Sequence, residues 1–417
     1  MKKTLLLLLL TLLSATASNA EDFTYTYEGQ TLTYTVIDEK AKTCKTKDGT
    51  LQNPAHSLSG TLSIPESVYG YKVRSLGRYS FEDCSGLTSV DIPESVTTIE
   101  SGAFMGCRGL TSVDIPESVT TIYSDAFRSC TGLTSVNIPE SVKSISMDAF
   151  CACTSLTSVY IPRFCYVSST AFGGCKSLIS FEVDPENAHH ATIDGVLFNK
   201  NYTKLLTFPG GKKGDYKIPE TVTEIYYDAF AYCQGLTSIS IPESVVSIED
   251  YAFSGCTGLS SVIIPNSVTS IGQWVFNNCK NLTTLSILGS VESWGVQAFR
   301  ECDNLTEVYC YMDDPCTAPG NTFSSKAYEN ATLYVPARTV SLYQATTPWN
   351  KFKNITDEPL LSGIEDVVAD GVDAIDYTKP YEVYNLQGAL VGQSTDGLAA
   401  GVYIVRQGEK SAKVAIR

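Results

Sequence analysis

The sequence predicts a solenoid of stacked repeats, preceded by a β-hairpin cap and followed by a small all-β module. Two recurring motifs carry the prediction of a solenoid. The pair Ile-Pro recurs at a spacing of 23 residues, as from Ile92 to Ile115, and Phe-x-x-Cys recurs with the same spacing. A fixed period between 20 and 30 residues is typical of repeats that stack on one another. The 30 Gly and 17 Pro further indicate that strands and helices are short.

The composition limits what the chain can bind or catalyse. Its 417 residues include 30 Lys+Arg and 45 Asp+Glu, so the formal charge is −15. A chain this acidic has no general electrostatic attraction to nucleic acid or to anionic lipid, and we expect neither as a partner. Only three His leave few ligands for zinc or bases for catalysis, while the 43% hydrophobic content excludes a wholly disordered protein.

Residues 1–20 have the features of a cleavable signal peptide. Met1–Lys3 is basic, Leu5–Leu13 is apolar, and Ser18–Ala20 provides the small residues that precede a cleavage site. The apolar stretch is too short to span a bilayer, and the following Glu21 is not the Cys that a lipoprotein requires. The sequence therefore predicts an exported protein without a transmembrane segment.

Residues 21–63 are predicted to cap the N-terminal end of the solenoid. Polar and apolar residues alternate in 23–27 and again in 32–36, and Glu28-Gly29-Gln30 separates the two runs. Alternation on both sides of a short glycine-containing turn is typical of a β-hairpin.

Residues 64–356 form the predicted solenoid, and the repeat at 110–130 shows its plan. Leu110, Val113 and Ile115 have the L-x-x-L-x-L spacing of a leucine-rich repeat, which places a short parallel strand at Val113 to Ile115. A proline follows Ile115 and ends that strand, because proline has no N–H for the hydrogen-bond ladder. The fold class predicted is therefore a leucine-rich repeat solenoid with 23-residue repeats.

The rest of the repeat is predicted to turn back and close one turn of the solenoid, which we call a rung. Ser118 lies at the bend, where its hydroxyl could bond a free backbone group. Val119 and Ile122 point inward from a second short extended piece. An irregular or helical outer wall follows, and Ala126 and Phe127 fill it from inside.

Nine of the 14 cysteines occupy one position of the repeat, three residues after the wall phenylalanine. They are Cys84, Cys107, Cys130, Cys153, Cys175, Cys233, Cys256, Cys279 and Cys302. Fourteen cysteines in an exported chain would ordinarily indicate disulfides. We instead predict a structural ladder of buried thiols, because the nine side chains point the same way and Cys packs as a small hydrophobe.

The five remaining cysteines lie off this ladder. A disulfide between Cys310 and Cys316 is the bridge that the sequence favours most, with two free thiols as the alternative. A zinc site at Cys151, Cys153 and Cys165 is not expected, because the spacing is wrong and no His lies nearby.

Two stretches of the solenoid depart from the repeat. The step from Val183 to Ile218 is longer than the usual period, and we interpret residues from about 184 to 217 as an inserted hairpin that projects from the solenoid. At the C-terminal end, Trp349 and Phe352 are predicted to cover the last rung.

Beyond the solenoid the composition changes twice. Residues 357–376 contain seven acidic residues and no Lys or Arg, which indicates a linker. Short strand-like runs separated by Gln-Gly and Gly turns follow in 377–417 and predict a β-rich module.

The repeat A-F-x-x-C-x-x-L-x-x-V-x-I-P-x-S-V resembles that of the BspA-like leucine-rich repeat family of bacterial surface proteins. The inserted D-G-V-L-F-N-K and the closing L-Y-V-P…W-x-x-F-K-N-I are similar to that family too, so the resemblance covers 21–356. The C-terminal Y-N-L-Q-G…G-V-Y-I-V…K-V-A-I-R resembles the sorting domain of type IX secretion cargo. Together these resemblances imply a protein that crosses the outer membrane, in a family associated with adhesion to host proteins and other cells.

A candidate binding face follows from the variable residue between the two apolar residues of each repeat strand. These outward positions are Asp91, Asp114, Asn137, Tyr160, Glu182, Ser240, Ile263, Ser286 and Tyr309. Solenoids commonly bind through such an extended surface. Tyr160 and Tyr309, with Tyr226 and Tyr227 expected nearby, could anchor a protein or a sugar ring, although scattered surface tyrosines are also ordinary.

A glutamate follows many of the Ile-Pro pairs and should form an acidic rim. Its members are Glu66, Glu94, Glu117, Glu140, Glu220 and Glu243. The rim could bind cations or steer a basic partner, but a solvated rim that keeps the protein soluble is the favoured interpretation.

The sequence offers little for catalysis. His189 and His190 lie in the insertion and His56 in the cap, and no G-x-S-x-G, H-E-x-x-H or phosphate-binding glycine loop occurs. We therefore expect no enzyme activity, no cofactor and no metal.

The sequence leaves two functions open. The first is an exported cell-surface protein, expected to be monomeric, that binds proteins or glycans of host or neighbouring cells through the solenoid face. The second is a structural component of the cell surface without a dedicated ligand. A hydrolase of surface polymers would need a site that the sequence does not provide.

Overall fold

The computed structural model describes residues 22–49, 58–336, 338–357, 380–384, 390–393, 401–407 and 410–416. The predicted signal peptide and nearly all of the predicted acidic linker lie outside these described residues.

Each rung of the solenoid has three sides, as the repeat at 110–130 shows. Strand Ser112–Asp114 forms the first side, which we call the long-strand face. After the Ile-Pro corner, strand Thr121–Ile122 forms the second side, the short-strand face. Turns that carry the wall phenylalanine and cysteine form the third side, the turn wall. The next rung repeats this plan, with Ser135–Asn137 parallel to Ser112–Asp114.

Within the described ranges, thirteen strands make up the long-strand face, one in each rung. They are Ser59–Ser63, Gly86–Asp91, Ser112–Asp114, Ser135–Asn137, Ser158–Ile161, Ser180–Val183, Gly214–Lys217, Leu236–Ser240, Ser261–Ile264, Thr284–Ile287, Glu307–Cys310, Thr332–Val335 and Asn354–Asp357. The first of them pairs in parallel with Gly86–Asp91, so the stacking of rungs begins before residue 64.

The short-strand face is a series of parallel strands in two groups. The first group is Thr43–Thr46, Tyr71–Leu76, Thr98–Ile99, Thr121–Ile122, Ser144–Ile145 and Tyr166–Val167. The second group is Lys204–Thr207, Glu224–Ile225, Ser247–Ile248, Ser270–Ile271 and Ser293–Trp294. The bend between the two faces uses the predicted serine: Ser118 Oγ donates to the Val96 carbonyl at 2.5 Å, which belongs to the preceding rung.

The turn wall is built from turns, and the phenylalanine rings behind it form a stack. The wall therefore matches the irregular alternative predicted from the sequence and not the helical one. Ring centroids lie 5.1–5.3 Å apart from Phe81 to Phe172 and 4.7–5.1 Å apart from Phe208 to Phe323. The backbone joins the same rungs, as where the Phe127 N–H donates to the Ala149 carbonyl at 2.7 Å.

The nine ladder cysteines are buried thiols. The thiol of Cys130 donates to the carbonyl of Phe104 in the preceding rung at 3.2 Å, and seven other ladder cysteines repeat this bond at 2.9–3.7 Å. The Phe104 carbonyl also accepts the backbone N–H of Cys107 at 3.1 Å. Burial raises the pKa of Cys130 and of Cys256 to about 12, so both stay protonated donors at neutral pH.

Cys310 and Cys316 are two free thiols, which is the alternative to the bridge that the sequence left open, and they bond different groups. The hydroxyl of Tyr343 donates to Cys310 Sγ at 3.2 Å. Cys316 Sγ donates to the carbonyl of Val291 at 2.8 Å. All 14 cysteines of the chain are thiols.

The insertion is part of the stack and does not project from it, which corrects the prediction. Strand His190–Ile193 is antiparallel to Val196–Asn199, which is antiparallel to Lys204–Thr207. Leu197 and Phe198 are fully buried because alternate side chains of this strand enter the cores on its two sides. Leu197 joins the N-terminal core cluster and Phe198 the C-terminal one, so the insertion divides the interior into two halves.

His190 joins the insertion to the last short strand of the N-terminal half. The N–H of Val167 donates to His190 Nε2 at 2.9 Å. A side chain, and not a neighbouring strand, is therefore the acceptor for this N–H of strand Tyr166–Val167. The ring is buried. Burial, and to a lesser extent neighbouring His189, lowers the pKa of His190 to about 4.

Both ends of the solenoid are closed. At the N-terminus, Asp22–Tyr27 and Gln30–Asp38 form the predicted hairpin, and the latter strand also pairs with Thr43–Thr46. A second hairpin joins Ser67–Val68 to Tyr71–Leu76.

At the C-terminal end, helices Ser325–Asn330 and Val340–Ala345 and the 3-10 helix Trp349–Lys351 follow the last wall turns. Trp349 and Phe352 are buried with ring centroids 5.9 and 5.2 Å from that of Phe323, so they cover the end of the stack.

The C-terminal module contains one antiparallel sheet of four strands. Its strands are Glu382–Tyr384, Leu390–Gly392, Gly401–Gln407 and Lys410–Ile416. Glu382–Tyr384 lies between Leu390–Gly392 and Gly401–Gln407, and Lys410–Ile416 forms the far edge. Val383 and Val405 are buried and pair with each other.

We expect the junction at His190 to weaken as the pH falls from about 6.5 to about 4. The unfolded chain takes up a proton on this histidine at its ordinary pKa, whereas the folded chain resists it down to the lowered pKa, so acid favours unfolding. Urea unfolding of the protein and of His190→Gln should be compared at pH 7, 5 and 4. The unsubstituted protein should lose up to about 3 kcal/mol more stability than the variant over this range. Equal losses in the two proteins would contradict this role.

Candidate binding surface

The strand register brings the predicted outward residues of the long-strand face into one column. Asn137 pairs with Asp114, Glu182 pairs with Tyr160, and Ser286 pairs with both Ile263 and Tyr309. Between these separate ladders, single backbone bonds keep the same step, as from the Thr111 N–H to the Thr88 carbonyl at 3.3 Å and from the Thr157 N–H to the Thr134 carbonyl at 3.4 Å. We call this set the face column.

Four members of the face column were missed from the sequence. Ser63 pairs with Asp91, Lys217 with Ser240, Tyr334 with Tyr309, and Thr356 with Tyr334. Lys217 precedes Ile218-Pro219 as Ser240 precedes Ile241-Pro242, so the repeat could have identified it. The run Leu333-Tyr334-Val335-Pro336 has the V-x-I-P pattern and could have identified Tyr334.

Exposure divides the face column into an open part and a closed part. Asp91, Asp114, Asn137, Tyr160 and Glu182 are exposed, and Ser240, Ile263 and Tyr309 are half-buried. Ser286 is only 1% exposed, which contradicts its prediction as a contact residue. Its short side chain lies between the larger Ile263 and Tyr309 in the column, so it cannot reach past them.

The tyrosines predicted to act together lie on different parts of the molecule. Tyr160 is 43% exposed on the long-strand face, where its hydroxyl bonds Asp184 Oδ2 at 3.2 Å. Tyr309 stacks on Tyr334 with centroids 4.8 Å apart.

Tyr226 and Tyr227 instead follow a strand of the short-strand face, so the structure does not bring them to the face column. The Lys204 ammonium lies 5.3 Å from the centre of the Tyr226 ring, and Tyr227 packs edge-on against Tyr251 at 5.6 Å.

A column of threonines beside the face column serves the backbone. Thr134 Oγ1 donates to the Thr111 carbonyl at 3.1 Å, and Thr283 Oγ1 donates to the Ser260 carbonyl at 3.1 Å. These hydroxyls explain why the repeat keeps Thr there, since each bonds the preceding rung. The neighbouring face column carries no such recurring bond and varies from rung to rung.

The predicted acidic rim is exposed at five of its six positions: Glu66, Glu94, Glu117, Glu140 and Glu220. Glu243 is half-buried and accepts the backbone N–H of Ser267 at 3.1 Å. Among the described residues no group of three acidic, His or Cys side chains is arranged to hold a metal ion.

The candidate catalytic residues are placed in unrelated surroundings. His190 is the buried junction residue described above, His189 is exposed, and His56 lies outside the described residues. On the turn wall, burial and then the charges of Asp148 and Asp250 raise the pKa of Asp228 to about 7. Burial also raises the pKa of nearby Cys151 to about 11, which is opposite to what a nucleophilic thiol requires.

A family comparison agrees with this architecture. The BspA type leucine rich repeat region matches residues 54–203 and 207–332 in six copies, which is more than half of the chain. The chain belongs to the BspA-type leucine-rich repeat family. A search of curated protein sequences finds no match.

Solved structures show the same solenoid fold. A leucine-rich repeat protein from Eubacterium ventriosum has 24% identity and a TM-score of 0.62, over 76% of this chain and 84% of that one. The pneumococcal vaccine antigen PcpA has 21% identity and a TM-score of 0.57, over 81% and 99% of the two chains. A leucine-rich cell surface protein from Faecalibacterium prausnitzii has 23% identity and a TM-score of 0.54, over 83% and 97%.

The described helices of this family member are short. None of them has the length and apolar character needed to cross a membrane.

Proposed function

We propose that this protein is exported to the cell surface and binds proteins or glycans of host or neighbouring cells through the long-strand face. The observation that carries the proposal is the face column: a regular hydrogen-bonded scaffold holds an exposed row of residues that changes in size, charge and aromaticity from rung to rung. A structural repeat needs no such variation, whereas recognition of an extended partner does.

The family and its solved relatives support a place at the cell surface. One relative is described as a cell surface protein and another as a vaccine antigen. The basic and apolar start of the chain has the features of an export signal.

The C-terminal module supports the same location through its resemblance to type IX sorting domains. It begins with the Y-N-L-Q-G motif and ends in K-V-A-I-R. We propose that it directs transport across the outer membrane, which leaves the solenoid as the part that binds.

A structural component without a dedicated ligand is the second candidate. The observation in its favour is that Thr and Glu recur at other exposed positions, as expected of a surface selected for stacking and solubility. The two candidates differ in whether the solenoid binds saturably.

Binding can be tested with the full chain on a panel of matrix proteins and glycans by surface plasmon resonance. We expect saturable binding to at least one member, and at least a tenfold loss of affinity in Asp114→Arg/Asn137→Arg, because both changes place long cations on the open part of the face column. Asp313→Arg/Asn321→Arg makes the same change of charge at exposed positions outside the face column, and this control should bind normally. A blank panel would favour the structural component.

Export can be tested by protease shaving and fractionation of intact cells of the producing bacterium. The full chain should be cleaved at the surface, while a chain that ends at Pro359 should stay in the periplasm, because the proposed sorting module is missing. Retention of both chains in the periplasm would contradict surface sorting and, with it, adhesion to an outside partner.

A further inference from the structure

One rung departs from the internal consensus of the solenoid at several exposed positions. After Ile-Pro the other rungs place Glu or Asn and then Ser or Thr, as in Glu117-Ser118 and Asn266-Ser267. After Ile161-Pro162 the chain has Arg163 and Phe164 instead. In the preceding rung, Lys143 occupies a position that is Thr in several other rungs.

These departures remove a bond that the repeat otherwise keeps. The bend serine donates to the valine carbonyl of the preceding rung in Ser118, Ser141, Ser244 and Ser267, at 2.5–2.8 Å. Phe164 has no hydroxyl to make this bond, and 55% of its surface stays exposed. The substitution therefore costs a hydrogen bond and gains little burial, which stability does not explain.

The exposed groups around Phe164 lie on neighbouring rungs, which the Tyr166 N–H joins by donating to the Lys143 carbonyl at 2.9 Å. The Lys143 ammonium lies 4.6 Å and the Arg163 guanidinium 5.1 Å from the centre of the Phe164 ring. Tyr166 is 52% exposed and packs edge-on against His189 with centroids 5.6 Å apart. We call these five residues the aromatic–basic patch.

The charge of the patch opposes that of the rim beside it. Glu94, Glu117 and Glu140 occupy the rim position in the three preceding rungs, and Arg163 reverses the sign at the fourth. Glu186 places a carboxylate 2.7 Å from the Arg163 guanidinium, so a carboxylate of a partner would take the place that Glu186 occupies. Cation–π contact with Phe164 holds both cations at the surface.

We propose that the aromatic–basic patch is a docking site for an acidic segment of a partner protein. Carboxylates of the segment would bond Arg163 and Lys143, and an apolar side chain would pack on Phe164 and Tyr166. Arg and aromatic residues together dominate the binding energy of protein interfaces, which favours a protein over a polysaccharide. This inference rests on the proposed binding function and assigns to it one site and one class of partner.

The test restores the consensus of the chain. Arg163→Asn/Phe164→Ser reproduces the pair found at Asn266-Ser267 and should return the missing bond to the Val142 carbonyl. Arg108→Asn/Met147→Ser removes one exposed cation and one exposed apolar side chain elsewhere and is the matched control. Lys143→Thr is a second variant, which removes one cation of the patch and keeps Arg163 and Phe164.

The probe is a fluorescent peptide of alternating Glu and Leu, and a Lys/Leu peptide and hyaluronan serve as comparison ligands. Binding to the full chain is measured by fluorescence anisotropy at 50 and 300 mM salt. The Glu/Leu peptide should bind most tightly and more weakly at the higher salt. Affinity should fall at least tenfold in Arg163→Asn/Phe164→Ser and about threefold in Lys143→Thr, and stay unchanged in the control. The melting temperature of the double variant should equal or exceed that of the unsubstituted protein.

Several results would overturn the docking site. The first three concern binding: equal binding of the Glu/Leu peptide by the double variant, tighter binding of hyaluronan than of that peptide, or no peptide binding at all. The fourth is a lower melting temperature of the double variant, which would give Phe164 a structural role. If the double variant binds the Glu/Leu peptide as tightly as the unsubstituted protein, while Asp114→Arg/Asn137→Arg loses binding to a member of the matrix panel, the patch is refuted and the proposed function of the long-strand face stands.

Discussion

The carbonyl of the wall phenylalanine is the point on which the solenoid depends. In seven rungs it accepts both the backbone N–H of the cysteine in its own rung and the thiol of the cysteine in the next, so both lone pairs of a buried oxygen are used. A smaller apolar residue in place of Cys would fill space without this second bond. The same residues stack their rings about 5 Å apart, and this fixes the spacing at which the strands on the other two faces pair.

This interior leaves the outer surface free to vary. Threonine and serine hydroxyls that bond the preceding rung occupy some exposed columns, and substitution there has a structural cost. The face column carries no recurring hydroxyl bond of this kind, and its residues change from rung to rung. Phe164 lies at a bend where other rungs place a serine that bonds the preceding rung. The loss of that bond points to a role outside the fold.

Much of the fold could be predicted because the same pattern of residues occurs in many copies of the repeat. Val113 and Ile115 alternate with outward residues, Pro116 marks the corner, and Cys130 recurs in a register that places it inside. The acceptor of the thiol could not be predicted, since it lies in another rung and depends on how turns superpose.

The site was harder to predict because side-chain exposure depends on neighbours in other rungs. Ser286 has the right register for the face column but is buried between Ile263 and Tyr309. Tyr226 and Tyr227 were expected near the face column, but they follow a strand of the short-strand face. The insertion occurs once, so no repeat shows that Leu197 and Phe198 enter two different cores.

Counting thiols tests the ladder most directly. In denaturant without reductant, the purified protein should react with about 14 equivalents of Ellman's reagent, because all 14 cysteines are thiols. In the folded protein, reaction should be confined to the partly exposed Cys151 and Cys316, since the ladder thiols are buried. A count in denaturant that is lower by two or more, with the corresponding disulfide-linked peptides, would contradict a ladder of free thiols.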